Sequence, residues 1–512
     1  MAGETMNVLV SGDAILDHHI YEGQEPQAMS RIRYGTRQIT TGGGAELLFK
    51  LLQECRVRVA AASAESRANS PPLNYEPVFG LLELSKCGTA AIENLHLNGY
   101  GLYSPFPAFQ EASLAERATP KKAAHHVWRL KQSLGYGARD PQRSLTPLAK
   151  TDAIRADHQV WLFDDGGLDF RFPRSKSAWP ASLQDSPSSA SALPEWIVLK
   201  TSAPLASGDL WYALTADNLW IERLLVVVSV ADLRREPVVV SSGASWERTA
   251  LDLVQALRAN PSLQPLRRCR CLLVMFGVEG ALLADCRQGE PRCHLIYDAR
   301  HLEGDWSGSI EGDVFGRMSC FVTGIVSWLP AKRSRVDVEP NAEITTLLDG
   351  ARAGLAAARR LVACGHGDIK AAPRLPLGEV ADEILSPTIT FCHAEVPKDA
   401  VPGLSGGTIW RILEAGIDND TNRLARTLGQ AQLVAQFGLQ TLPNVPQLKL
   451  GKLRTIDRDE IERLRNIRSL IENYRDTPRV KRPLSIGVFG QPGSGKSFAV
   501  KELAKAVLGD DV

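Results

Sequence analysis

Several large classes of protein are excluded by what this chain has little of. Its 512 residues carry 59 Lys and Arg against 58 Asp and Glu, a formal net charge of +1. So even a balance leaves no whole-chain electrostatic footprint for nucleic acid. The longest strongly apolar run is LLVVVSVA, Leu224 to Ala231, far short of the ~20 residues a membrane helix needs. The N-terminus, MAGETMNVLVSGD, has no basic stretch leading into an apolar core, so no secretory signal is read there. Nine cysteines are scattered without a CxxC pair. Cys269 and Cys271 precede an apolar run and read as strand flank, not as metal ligands. A reducing cytoplasm is the expected setting. No long internal repeat is visible.

What is present is the composition of packed domains: 44% hydrophobic and 23% charged residues. The length suits roughly three domains of ~100–200 residues each. NVLVSGD (Asn7 to Asp13) is a short apolar strand ending in a Gly-Asp turn. TTGGGAELLFKLLQE (Thr40 to Glu54) is a glycine turn feeding a helix with Leu47, Leu48, Leu51 and Leu52 on one side. VRVAAAS, from Val57, reads as the next strand. That order favours a parallel α/β sheet.

From about Tyr103 to Pro194 the pattern weakens, and an inserted lid is expected. Within it, KKAAHHVWRLKQSL (Lys121 to Leu134) reads as a helix, on which the adjacent His125 and His126 point apart and cannot chelate. QVWLFDDGGLDFRF (Gln159 to Phe172) reads as a β-hairpin turning at Asp164 to Gly167. Order resumes with Trp196–Lys200, Arg223–Arg234 and a helix from Ser245, its expected N-cap. CLLVMFGVEGALLAD (Cys271 to Asp285) is a strand, a turn and a strand. A glycine-rich loop from Gly304 runs into a helix, and an alanine-rich helix stops at Gly365. LDHHI (Leu16 to Ile20) reads as a polar run on a strand edge, and CGHGD (Cys364 to Asp368) as a helix C-cap turn. In the later chain, Ile461, Leu464, Ile467, Leu470, Ile471 and Tyr474 fall at helical spacing behind an Asp457/Glu460 capping box. The ten basic and six acidic residues between Lys452 and Arg482 read as a solvated helix face.

GQPGSGKS, Gly490 to Ser497, satisfies the phosphate-loop pattern G-x-x-x-x-G-K-[ST] in full. PLSIGVF before it reads as a buried strand, and SFAVKELAKAVL after it as a helix. Gly490, Gly493 and Gly495 would let backbone amides converge on phosphate oxygens. The helix N-terminus adds partial positive charge. Lys496 would reach the β- and γ-phosphates, and the Ser497 hydroxyl would bind Mg²⁺. The stretch from about Arg482 to Val512 resembles the start of P-loop NTPases, most of all the AAA-type ATPases. That resemblance implies an acid at the end of a later strand, and only 15 residues follow Ser497. The chain is therefore expected to be a fragment cut inside its NTPase domain. VWLFDD (Val160 to Asp165) mimics such an acid-ended strand but is assigned to the hairpin.

NVLVSGDAILD, TTGGGAELLFKLL, LLVMFGVEGALL and SIEGDVFGRMSCFVTGI, in that order, resemble the motifs of ribokinase-like (phosphofructokinase-B-type) sugar kinases. The resemblance spans about Asn7 to Gly365. It implies Asp313 as the base that accepts a substrate hydroxyl proton. It implies an anion hole from Gly312 and the amides near Ile310 and Glu311. Asp13, Gly43 and Gly44 would line the substrate side. The chain departs from the pattern: Ile310 and Glu311 replace small residues, Ser307 to Ser309 replace an acid and threonines, and Met275 replaces a threonine. These departures favour a domain that keeps the fold and has lost catalysis.

The expected architecture is α/β. Residues 1–370 form a ribokinase-like, mostly parallel sheet with flanking helices and an insertion over about 103–194. Residues 371–482 are a connector with helices, and 483–512 the first β-loop-α unit of a P-loop NTPase. The expected function is a regulatory domain that senses a small molecule or protein and is coupled to an ATPase using ATP and Mg²⁺. The rivals are an active kinase for a sugar- or nucleoside-like hydroxyl and a non-enzymatic scaffold. Partners are expected to be nucleotide and a small ligand, with no membrane and no clear nucleic acid.

Overall fold

The computed structural model describes residues 6–24, 34–61, 75–79, 96–110, 121–137, 159–168, 170–184, 193–287, 289–330, 340–400, 410–414, 423–477, 483–489, 491–493 and 495–509. Its strands are β1 (Met6–Gly12), β2 (Ala14–Gln24), β3 (Tyr34–Gly44), β4 (Tyr75–Phe79), β5 (His96–Gln110), β6 (Lys121–Gly137), β7 (Val160–Asp165), β8 (Trp196–Thr201), β9 (Leu224–Ser229), β10 (Cys271–Phe276), β11 (Gly280–Asp285), β12 (Arg292–Tyr297), β13 (Cys392–Val396), β14 (Leu448–Leu450) and β15 (Leu453–Thr455). The helices are α1 (Ala45–Ala61), the short α2 (Ala181–Gln184), α3 (Asp209–Thr215), α4 (Asn218–Ile221) and α5 (Val230–Leu233), then α6 (Trp246–Ala259), α7 (Arg317–Ser327), α8 (Pro340–Cys364), α9 (Leu377–Leu385), α10 (Arg423–Phe437), α11 (Arg458–Asp476) and α12 (Lys496–Leu508).

Nine strands form one sheet in the order β13-β12-β11-β10-β9-β8-β7-β1-β4. Pairing is parallel from β4 across to β10 and antiparallel from β10 to β13. The parallel strands read as unbroken apolar runs because both of their faces are covered. Side chains alternate between the two faces. Leu9, Trp161, Phe163, Ile197, Val226 and Val228 share one core with Trp246 and Leu253 of α6. Val8, Val10, Leu162, Val198, Leu225 and Val227 share the other with α1, α7 and α8. The result is a mixed α/β fold built on a large, mostly parallel sheet. A second sheet of four strands, in the order β3-β2-β5-β6, stands at one end of the first. Its strand β6 is tied to the main body by bridges from Leu130 to Asp313 and from Val127 to Asp368.

Four expectations are corrected. The stretch from Val57 is not a strand: α1 runs on to Ala61, held by Arg58, which pairs with Glu54 one turn back at 2.9 Å and with Asp382 of α9. Lys121–Leu134 is not a helix but most of β6, because it pairs with β5 along nearly its whole length. Gln159–Phe172 is not a hairpin. Val160–Asp165 is a central parallel strand between β1 and β8. Its terminal acids are paired rather than solvated, Asp164 with Lys200 at 2.6 Å and Asp165 with Arg171 at 2.8 Å. The stretch expected as a lid is therefore shared between the main sheet and the side sheet. Residues 483–489 form no strand: no described residue pairs with them, and Phe489 is 95% exposed. An extended segment needs a neighbour to take its ladder hydrogen bonds. In the stretch after residue 371, α9 packs on α1 and α8, and β13 pairs with β12 at the sheet edge.

Both N-caps are met, but the expected box at Asp457 and Glu460 is not closed, because the Glu460 carboxylate accepts from Thr455 and the Asp457 N–H donates to Thr455 Oγ1 at 3.2 Å. Ser245 accepts from the Arg248 N–H at 3.1 Å, and Asp457 accepts from the Glu460 N–H at 2.9 Å. α8 stops at Gly365, whose φ of 58° is left-handed. Among the described residues, no helix is long and apolar enough to cross a membrane.

Candidate ligand cavity and phosphate loop

Parallel strands end together, and the crevice beyond their carboxyl ends is where α/β sheets bind ligands. Here that crevice is a cavity of about 310 Å³, roofed by the side sheet. Asp13 sits at its floor, directly after β1. The main chain of Asp13 is locked by its N–H to the Asp164 carbonyl at 2.7 Å and by its own carbonyl, which accepts from Ala45 at 2.9 Å. Its carboxylate accepts the N–H groups of Leu168 at 3.1 Å and Phe170 at 2.9 Å. Burial pushes the acid up to about 7, against the pull of those amides and with a further push from Asp165 and Asp164. Burial also raises Asp164, although Lys200 beside it opposes the shift.

The roof is built by strand alternation. Ile15, Asp17 and His19 of β2 face inward, with Thr41, Gly43 and Gly44 of β3 beside them. His19 Nε2 lies 2.7 Å from Thr41 Oγ1. His366, in the turn after α8, packs against His19 and Tyr103, with ring centroids 5.4 and 4.8 Å away. Burial lowers His19 to about 4 and His366 well below the ordinary histidine range. Burial raises Asp17 to about 6. The third wall is Val314 to Ser319, the start of α7. Arg317 there pairs with Asp313 at 3.1 Å.

Asp13, Gly43 and Gly44 thus lie together in one cavity. Gly312 and Asp313 immediately precede the lining segment of α7 and are held elsewhere. Three backbone amides flanking the expected anion hole already have partners. Ile310 N–H donates to Ser307 O at 3.2 Å, and Asp313 N–H to Leu130 O of β6 at 2.9 Å. Val314 N–H donates to the Asp313 carboxylate at 2.8 Å. Gly312 has φ 78°, and a β-carbon there would lie 2.8 Å from Arg129 Cβ and 2.9 Å from the Phe106 ring. Arg129 is buried and donates to the Val362 and Ala363 carbonyls at 2.9 Å each. The Asp313 carboxylate is engaged by the Val314 amide and the Arg317 guanidinium.

Sequence reasoning missed Asp17, His19, Asp164, Lys200, Arg317 and His366 as site residues. Two signals could have found four of them. Asp17 and His19 are two apart on a strand that follows Asp13, so they share its inward face. Asp164 and Lys200 are the polar ends of adjacent apolar strands.

The phosphate loop lies apart, sharing no lining residue with this cavity. Gly490 is outside the described residues. Gly493 and Gly495 take φ of 80° and 77°, and Gly495 caps α12 with no side-chain hydrogen bond. Nothing stands within 4 Å of a β-carbon placed at either glycine. Lys496 turns back so that its Nζ donates to the Gln491 carbonyl. Lys496 and Ser497 border a shallow recess with Val488, Val500, Lys501 and Ala504. The open loop, the uncapped helix start and the ammonium group fit a phosphate chain.

No family model matches the chain, and no curated protein matches it. Among solved structures, ribokinase from Giardia lamblia is 13% identical, with 74% of this chain and 99% of that chain covered and a TM-score of 0.35. Ribokinase from Arabidopsis thaliana, solved with ribose and ATP, is 12% identical over 74% and 98%, with a TM-score of 0.33. A nucleoside kinase from Methanocaldococcus jannaschii is 11% identical over 75% and 99%, with a TM-score of 0.32.

Proposed function

We propose that the α/β part of this chain is a ribokinase-like domain that binds a small, hydroxyl-rich molecule, and that it is coupled to ATP–Mg²⁺ binding at the phosphate loop. The observation that carries this reading is Asp13. A carboxylate fixed by two backbone amides at the floor of a cavity is a preorganised acceptor for ligand hydroxyls. The side sheet partly covers it, and a lower local dielectric strengthens hydrogen bonds made there. ATP would be held by the amides of the loop, Lys496 and the start of α12, with the Ser497 hydroxyl toward Mg²⁺. Bound there, the nucleotide supplies a phosphoryl group whose hydrolysis needs an acid from outside this loop.

A regulatory role is favoured over phosphoryl transfer because three amides flanking Gly312 already have partners and Asp313 is paired with Arg317. One observation speaks for transfer: Arg317 and the first turn of α7 open on the cavity, where a helix N-terminus attracts phosphate. Calorimetry with a panel of polyols, with and without ATP–Mg²⁺, tests the proposal. Wild type is expected to bind a member of the panel, and Asp13→Asn to weaken it about tenfold or more, as expected when a buried acceptor of charge-assisted hydrogen bonds is lost. Lys496→Ala is expected to remove ATP binding and leave polyol binding in place. Phosphorylated product that forms with wild type and disappears in Asp313→Asn would replace the regulatory reading with the kinase one.

A further inference from the structure

Asp17 is the odd member of the cavity. The other charged groups there are engaged: Asp13 by two amides, Asp164 by Lys200, Arg317 by Asp313. Among the described residues, neither a hydrogen bond nor an ion pair reaches the Asp17 carboxylate. It leans over the glycine hinge, where a β-carbon on Gly43 would lie 2.6 Å from its Oδ2. Gly43 therefore leaves the carboxylate open to the cavity. Beneath it are two imidazoles, His19 and His366, only 2% and 1% exposed, and both line the cavity. Neither Nδ1 atom has a partner among the described residues. Buried polar atoms without partners are rare and point to a missing one.

The missing group has a definite charge. Both histidines are held neutral by burial, so neither supplies a cation to Asp17. Among the remaining neighbours only His18 pulls on Asp17, and burial outweighs it. His18 is stacked on Tyr100 at 4.6 Å, and Thr41 of β3 and Tyr100 and Tyr103 of β5 are neutral. Asp13 adds negative charge, and the charges of Lys200 and Arg317 are matched by Asp164 and Asp313. An anionic ligand group would meet unbalanced negative charge here, and a neutral hydroxyl would leave it uncompensated.

We propose that the β2 end of the cavity is an ammonium site. Asp17, with the neutral imidazoles of His19 and His366 below it, receives a protonated primary amine of the bound molecule. The ligand class is therefore an amine-bearing polyol, its hydroxyls on Asp13 and its amine on Asp17. This rests on the reading of the cavity as a hydroxyl-binding site. Asp17 must be ionised to act, and burial raises it to about 6. Preference for the amine is therefore present above that pH and fades as pH falls through it.

The test is calorimetry on the whole chain with matched probes: glucosamine against glucose, galactosamine against galactose, and glucamine against sorbitol. At about pH 7.5, at least one aminated probe is expected to bind about tenfold or more tighter than its hydroxyl twin, the effect of a desolvated ion pair. Asp17→Asn keeps the size of the side chain and is expected to abolish that preference, along with its decline below about pH 6. Equal binding of both twins, or a preference that survives in Asp17→Asn, overturns the ammonium site. If the twins bind equally and Asp13→Asn weakens both, the hydroxyl-binding reading stands without it. If no probe of either kind binds, both fall.

Discussion

Two buried acids, Asp13 and Asp17, are placed where they weaken the fold. Each has its acidity reduced by burial, Asp13 to about 7 and Asp17 to about 6, from an ordinary value of 3.8. A carboxyl raised in this way adds stability below its unfolded value, and that contribution is lost as pH rises through the folded value. Replacing Asp17 by Asn removes the penalty on the charged form. Asp17→Asn is therefore expected to melt about 2–4 °C higher than wild type near pH 8. Near pH 4, where both side chains are neutral, the two are expected to melt together. A variant that melts lower than wild type near pH 8 would show that Asp17 has a stabilising partner. Residues that hold stability down while facing a cavity are the usual mark of a binding site. Of the two, Asp13 was legible in the sequence, since it ends an apolar strand at a Gly-Asp turn. Asp17 was hidden inside a polar run whose meaning depends on which face of β2 the side sheet turns inward.

At the scale of elements, legibility followed how local each signal is. β8, β9 and β10 could be read directly because a strand covered on both faces must be apolar throughout. The caps at Ser245 and Asp457 could be read because each bond closes within three residues. β6 could not. Its mixed sequence becomes a strand through pairing with β5, and the same strand then takes the main chain of Asp313. That long-range bridge also takes the amide of Asp313, beside the expected anion hole. The loop folds onto β6, and Arg129 fills the space beside Gly312. Gly312→Ala is expected to cost about 1–3 kcal/mol, since it combines an unfavourable positive φ with a clash. The measurement is denaturant unfolding, and polyol binding at Asp13 is expected to survive in the folded variant. An Ala variant as stable as wild type would mean that the loop is free to leave β6.

On the scale of the whole molecule, the later helices are fastened to the α/β body by buried polar contacts. Ser245 donates to Glu462 at 2.7 Å, and Glu247 accepts from the Ile412 N–H at 3.0 Å. Arg458 donates to the Trp410 carbonyl at 3.0 Å, and Arg465 pairs with Asp305 at 2.5 Å. Asp305 lies at the head of the glycine-rich loop, whose far end lines the cavity. α12 in turn rests against α11 and the β14–β15 hairpin, with Glu502 accepting the Lys452 N–H at 2.6 Å. The distinctive Ser245–Arg248 stretch, legible only as a helix start, is thus an attachment point for α11. The cavity and the phosphate loop share no residue but are joined through these elements.

The most direct test of the account is a crystal structure of the whole chain grown with a saturating aminated polyol. The account predicts ligand density beneath the side sheet, with hydroxyls within hydrogen-bond distance of Asp13 and the amine within reach of Asp17. Ligand bound elsewhere, with the space between Asp13 and His366 filled only by water, would contradict it.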